Sequence, residues 1–304
     1  MPPSSIRFVS RNFLLFCLCA FLPIQHNLAE NEPAEPSKNC LWKVANPLGS
    51  IYLLGTLSLM KAEDYPLSHA IEAAYERCNT VFLEVDLGYL NGEEAAKQVS
   101  ELGMYPDGKR LNENLSTVGR SIFLETLERL GLPEDHFQSL QPWLAAVTLL
   151  ALNLERQGIT KRYELDNYFY TKAQYDEKKI VPMESGEAQI QLLANMSPTQ
   201  QEDFLKQTIV DIDITNEKIT AIKAAWRAGD TKFLEATLLK SFRSYQSVQE
   251  KLLTNRNRAW LPTVENACNN QGQPALIVLS IHNLLGSDGL LELLRSRGFS
   301  LEQL

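Results

Sequence analysis

Three short apolar runs, Ile51 to Leu57, Thr80 to Leu87 and Ala275 to Ile281, constrain the fold of this chain more than any other feature. Runs of that length, bounded by turn or helix signals, read as strands buried on both faces of a sheet. Between the first two, Pro66 to Arg77 has helical spacing, with Ala70, Ile71, Ala74 and Tyr75 on one face. Strand, helix, strand is a parallel crossover unit. Past Leu87 the period turns helical and stays so to about residue 270, interrupted by one strand-like piece at Ile180 to Met183. Within this stretch, Ser197-Pro198-Thr199-Gln200 carries the signature of a capped helix start, and Gly229-Asp230 marks the end of that helix. The leucines at 144, 149, 150 and 152 read as core. After the third run, Gly289 to Arg297 is expected to be a helix stopped by Gly298, and Phe299 to Leu304 an edge strand. The expected fold class is therefore α/β: a mainly parallel central sheet formed by both ends of the mature chain, with a large helical insertion at about residues 90–270.

The first thirty residues point to export. Arg7 and Arg11 precede an apolar stretch from Phe13 to Ile24, and no acid occurs before Glu30, which is the layout of a signal peptide. The stretch is shorter than the roughly 20 residues that span a bilayer, so no stable membrane anchor is expected after cleavage. Three segments follow: a signal peptide at 1–29, a polar, proline-bearing linker at 30–39, and a domain at 40–304. The expected destination is the periplasm or the outside of the cell. Loss of residues 1–29 removes two arginines and no acid, which takes the formal charge from -8 to about -10. A chain so acidic, without a basic cluster interleaved with aromatics, is not expected to bind nucleic acid. Three cysteines remain, Cys40, Cys78 and Cys268; their spacing matches no zinc motif, and a Cys78–Cys268 disulfide and three free thiols are both open.

In open α/β sheets the chemistry gathers at the carboxyl ends of the strands. Those ends read Gly55-Thr56-Leu57-Ser58, Glu84-Val85-Asp86 and Ser280-Ile281-His282-Asn283. Glu84 and Asp86 are two apart and so share one face of a strand, where a carboxylate pair can hold a divalent cation or serve acid/base chemistry; capping neighbouring helices is the plainer role. Arg256 lies four residues from both Leu252 and Trp260 on an inward helix face, so it needs an acid, with Glu84 or Glu184 as the partner. Replacing Arg256 with methionine is then expected to be tolerated better than removing the acid alone. His69 and His136 read as surface or cap residues.

The segments LWKVANPLGSIYLLGTLSL, YPLSHAIEAAY, VFLEVDL, PWLAA, LDNYFYTKA, ESGEAQ, AWRAGD, RNRAW and GSDGLLELLRSRGF follow the order seen in TraB/GumN proteins. Over residues 41–304 the chain resembles a divergent member of that family, which is similar to the Tiki membrane proteases and more distantly to erythromycin-esterase and ChaN-like folds. The resemblance implies a metal-dependent hydrolase architecture with two GxxH motifs at the ends of the first and last core strands. Here Ser58 stands at the first histidine position and Asn283 at the second, with His282 one residue early, while Glu84, Asp86, Glu184, Gln189, Arg256 and Asn257 match. The metal-binding histidines are thus expected to be lost. That implies a binding or regulatory module with a pocket of Gly55, Ser58, Glu84, Glu184, Arg256, Asn257 and Asn283, no cofactor, and an unidentified peptide, protein or small-molecule ligand. The alternative is a hydrolase with a rearranged site. Its catalytic candidates are Glu84, Asp86, Glu184 and His282, its metal candidates Glu84 and His282, and its cation manganese, cobalt or calcium.

Overall fold

Six strands form one sheet in the order β4-β3-β5-β2-β1-β6. They are β1 (Leu41–Asn46), β2 (Gly49–Thr56), β3 (Thr80–Val85), β4 (Lys179–Glu184), β5 (Ala275–Ser280) and β6 (Ser300–Gln303). The structure is a computed structural model that describes residues 38–304 except 107, 271 and 273; the expected signal peptide and most of the linker lie outside the described residues. Strands β2 to β5 run parallel, and β1 pairs antiparallel with both β2 and β6. The crossover from β2 to β3, through the helix His69–Glu76, steps over one strand position, and β5 from the far end of the chain fills it. The three apolar runs are therefore neighbours, as expected, and Phe299 to Leu304 supplies the edge strand β6.

Strand β1 is not among the strands read from the sequence. It is joined to β2 by a tight turn in which Asn46 Oδ1 accepts from the backbone N–H groups of Leu48 and Gly49 at 2.9 and 3.0 Å. A Cβ at Gly49 would lie 2.4 Å from the Cys268 carbonyl oxygen, so only glycine lets this hairpin pack against the helix Asn255–Cys268. The strand-like piece at Ile180 to Met183 is β4, which forms the other edge of the sheet.

Among the described residues two large hydrophobic cores form, with a small third cluster of Phe242, Val248 and Leu253. One lies around the sheet and includes Leu53, Leu83, Ile277 and Val278; the other, within the helical region, is built on Phe123, Phe137, Trp143, Leu149 and Ile209. Leu144 and Leu149 are buried in the second core, with Leu150 and Leu152 packed half-buried against it. The helix Pro198–Arg227 joins the two, offering Leu205, Ile209 and Ile212 to one and Ile222, Ala225 and Trp226 to the other. Its start has the capping box formed by Ser197 and Gln200, and Gly229 follows its end at φ 64°. At that end Trp226 Nε1 donates to the Gly55 carbonyl at 2.7 Å, and buried Asp64 pairs with Lys223 and Arg227. Cys40, Cys78 and Cys268 are all free and buried; burial pushes the Cys40 and Cys78 thiols up to about 12.

Candidate functional site

The parallel register brings the carboxyl ends of four strands level: Thr56 pairs with Ser280, and Val85 with Glu184. In β3, Val81, Leu83 and Val85 turn to the core, which leaves Glu84 on the other, half-buried face at the strand's end. Arg256 enters from the helix Asn255–Cys268 and joins two strands at once. Its Nη2 donates to Glu84 Oε1 at 2.7 Å and to Glu184 Oε1 at 2.5 Å, and its Nε donates to Glu184 Oε2 at 3.3 Å. Nη1 donates to the Leu252 carbonyl at 3.3 Å, and the guanidinium stacks 4.4 Å from the Trp260 ring centre. The three charged side chains are well shielded, at 11% exposure for Arg256 and 17% for each glutamate. Burial alone would lower the guanidinium pKa, but the charges of Glu84 and Glu184 outweigh it and hold it above its ordinary value. A π-helical turn, Glu250–Thr254, precedes this helix, and such turns recur at functional sites because they re-aim side chains.

On its other side Glu84 meets β5: the Ser280 N–H donates to Glu84 Oε2 at 3.2 Å. Ser280 Oγ lies 3.0 Å from His282 Nδ1, and the imidazole packs edge-on to Phe242. Burial pushes the His282 pKa down to about 4 against a smaller upward pull from Glu84, so the ring is neutral at neutral pH. The structure adds a residue that the sequence reading did not single out. Asp166, in the first turn of the helix Leu165–Tyr175, accepts from Thr56 Oγ1 at 3.3 Å through Oδ2, while its buried Oδ1 has no hydrogen-bond partner. Burial pushes its pKa up to about 7, the charges of Glu84 and Glu164 add to the rise, and the Thr56 bond opposes it. Its sequence signal, an acid in the first turn of a helix, is too common to mark a site.

Other sequence candidates fall elsewhere. Asp86 lies beyond the end of β3 and caps the short helix Leu87–Leu90, its Oδ1 accepting from the Tyr89 N–H at 3.0 Å, so it does not act with Glu84 as a strand-face pair. Ser58 is exposed, two residues past the end of β2, and Thr56 is the β2 residue that reaches the polar cluster. Gly55 serves packing, since a Cβ there would lie 2.4 Å from Ile281 Cδ1. Asn283 is buried with Oδ1 unpartnered, and Asn257 donates from Nδ2 to the Asp288 carbonyl at 2.9 Å. His69 and His136 are exposed, away from the strand ends.

With this geometry in place, the comparison with known sequences is direct: the profile of the TraB/PrgY/gumN family matches residues 40–303. The chain belongs to the TraB/PrgY/gumN family. It is 20% identical over 209 residues to the uncharacterized protein YbaP of Escherichia coli K12, spanning 69% of this chain and 75% of that protein, and equally similar to its Shigella flexneri counterpart. No solved structure matches the chain. In this TraB/PrgY/gumN protein the residues present do not fit the ion that the resemblance implies. Glu84 and Glu184 are turned to one guanidinium, Asp86 to a helix cap and His282 Nδ1 to Ser280, and a cation at the carboxylates would meet the charge of Arg256.

Proposed function

We propose that this TraB/PrgY/gumN protein is an exported binding or regulatory module that keeps a polar strand-end pocket without metal-dependent hydrolysis. The observation that carries the reading is the Arg256 clamp: both carboxylates needed for a rearranged metal site are held by one internal cation. Hydroxyl and amide oxygens at Ser58 and Asn283, where the resemblance calls for imidazole, support it further. Export rests on the Arg7 to Ala29 pattern, which predicts a mature chain that begins at Glu30. Two measurements test the proposal. Calorimetric titration of cobalt and manganese into the purified protein should show no tight stoichiometric binding, and peptide and ester substrates should survive with or without manganese, cobalt or calcium. Metal-dependent turnover that disappears in Glu84→Gln would make the protein a working hydrolase. N-terminal sequencing of the protein from fractionated cells tests the export step.

A further inference from the structure

The stretch of chain that leads into the Arg256 helix is tied down by a carboxyl outside the clamp. This stretch, residues 241–254, runs from the 3-10 turn Ser241–Ser244 through the short helix Gln246–Gln249 to the π-helical turn. Its Ser247, Glu250 and Lys251 line an open groove of about 500 Å³ together with Glu184 and Arg256. Its own apolar anchor is small, the separate cluster of Phe242, Val248 and Leu253, and segments with few buried apolar contacts are the first to open. A polar contact adds to that anchor. Asp211, on the helix Pro198–Arg227, is largely shielded from solvent; Gln207 Nε2 donates to its Oδ2 and to Ser241 Oγ at 3.1 Å, and the Ser241 hydroxyl hydrogen-bonds the carboxyl as well. Gln207 and Ser241 are both buried.

No cation balances this carboxyl among the described residues. One turn away on its own helix stand Gln207, Thr208, Ile214 and Thr215, all uncharged. Farther along, Lys206 pairs with Glu202 and Asp203, and Asp213 with Arg129 of the helix Thr117–Leu130. On the other elements packed against this helix, Glu155 and Arg156 of the helix Pro142–Arg156, Lys232 and Glu235 of the helix Thr231–Leu238, and Lys240 and Arg243 at the 3-10 turn are exposed, and none forms an ion pair with Asp211. Tyr245, whose phenol burial pushes above its ordinary value, stays neutral throughout the ordinary pH range. An ionised Asp211 therefore has only neutral donors to offset its desolvation. Burial pushes its pKa up to about 7, against the opposing hydrogen bonds of Ser241 and Gln207.

We propose that Asp211 is a proton-operated latch on the groove: its protonated carboxyl holds residues 241–254 against the helix Pro198–Arg227, and loss of the proton loosens that segment and the groove wall it carries. The inference rests on the reading of the site as a binding site and names a regulation of it. Its sign follows from linkage. The closed form holds the proton more tightly than an opened, solvated one, so closure is strongest below the ordinary carboxyl pKa of about 4 and weakens as the pH rises to about 7.

Hydrogen–deuterium exchange of the whole purified protein, read peptide by peptide and corrected for the intrinsic rate at each pH, tests this. Protection of residues 241–254 should fall at least about tenfold between pH 5 and 7 in the wild type, and by no more than about twofold in Asp211→Asn, which keeps the shape of the neutral acid. Carbon-13 NMR of the wild-type aspartate carboxyls is a second measurement that needs no variant, and the Asp211 signal should titrate near pH 7. Constant protection in the wild type, an equal fall in Asp211→Asn, or an Asp211 midpoint near 4 would each overturn the latch. None of these results touches the parent reading, which falls instead on stoichiometric cobalt binding with metal-dependent turnover.

Discussion

Replacing Arg256 with methionine should destabilise this protein more than replacing either glutamate, the reverse of what a one-to-one pair implies. The reason is a charge count. Glu184→Gln leaves Arg256 with Glu84, a balanced pair, and the new amide oxygen can still accept from the guanidinium, so the cost should be about 1 kcal/mol. Arg256→Met leaves two carboxylates, each 17% exposed, side by side with no cation. Removing one partner of a shielded ion pair costs about 3–5 kcal/mol, and the repulsion between the two acids holds the value toward the upper part of that range at neutral pH. For a chain of this size each kcal/mol corresponds to about 2–4 °C in Tm, so Arg256→Met should melt about 8–20 °C below wild type and Glu184→Gln within about 4 °C of it. Thermal unfolding of both variants at pH 7 is the assay. If Arg256→Met is no more destabilised than Glu184→Gln at pH 7, the guanidinium is not the shared clamp described here.

Asp166 supplies a second prediction. Its folded pKa of about 7 lies above the ordinary carboxyl value, so the folded state holds the extra proton and stability should fall as the pH rises from about 4 to 7. Asp211, also pushed up to about 7 by burial, slopes the same way, so the measurable quantity is the flattening of the wild-type slope in Asp166→Asn by denaturant unfolding across that window. His282 slopes oppositely: with its folded pKa pushed down to about 4, the unfolded chain binds the proton first, and stability should fall as the pH drops from about 6.5 to 4. His282→Gln should remove that acid sensitivity without changing the slope above pH 7. Gly49→Ala should cost several kcal/mol, because its Cβ would press on the Cys268 carbonyl, whereas Gly108→Ala, with open space around it, should cost only the penalty of its positive φ; the gap in their denaturation midpoints checks the hairpin packing.

The central strands were legible because burial on both faces forces continuous apolar runs, and Arg256 because Leu252 and Trp260 place it on an inward helix face. What failed depended on features that sequence period does not carry. Strand β1 (LWKVAN) mixes polar and apolar residues, and its register is set by the Asn46 turn and the close approach of the Cys268 backbone. The two-residue spacing of Glu84 and Asp86 implies one strand face, but β3 ends at Val85, and beyond that point the aspartate becomes a helix cap. Asp166 stood in plain view within LDNYFYTKA, yet its importance comes from the burial and the partners brought by Thr56 of β2 and Glu84 of β3, which are distant in the chain.

The same geometry separates the histidine positions of the resemblance from the clamp. The histidine positions of the resemblance follow β2 and β5, whereas the carboxylates that Arg256 binds belong to β3 and β4. Arg256 draws its support from Glu84, Glu184, Leu252 and Trp260, none of which lies at a histidine position. Ser58 is exposed beyond its strand, so a change there removes no buried contact. A hydrogen bond between the halves comes from the Ser280 backbone N–H, which any residue but proline at that position would supply to Glu84. On the proposed reading, serine and asparagine at the two positions take the place of imidazole without unbalancing the clamp, and the strand-end wall stays held by Glu84, Glu184 and Arg256.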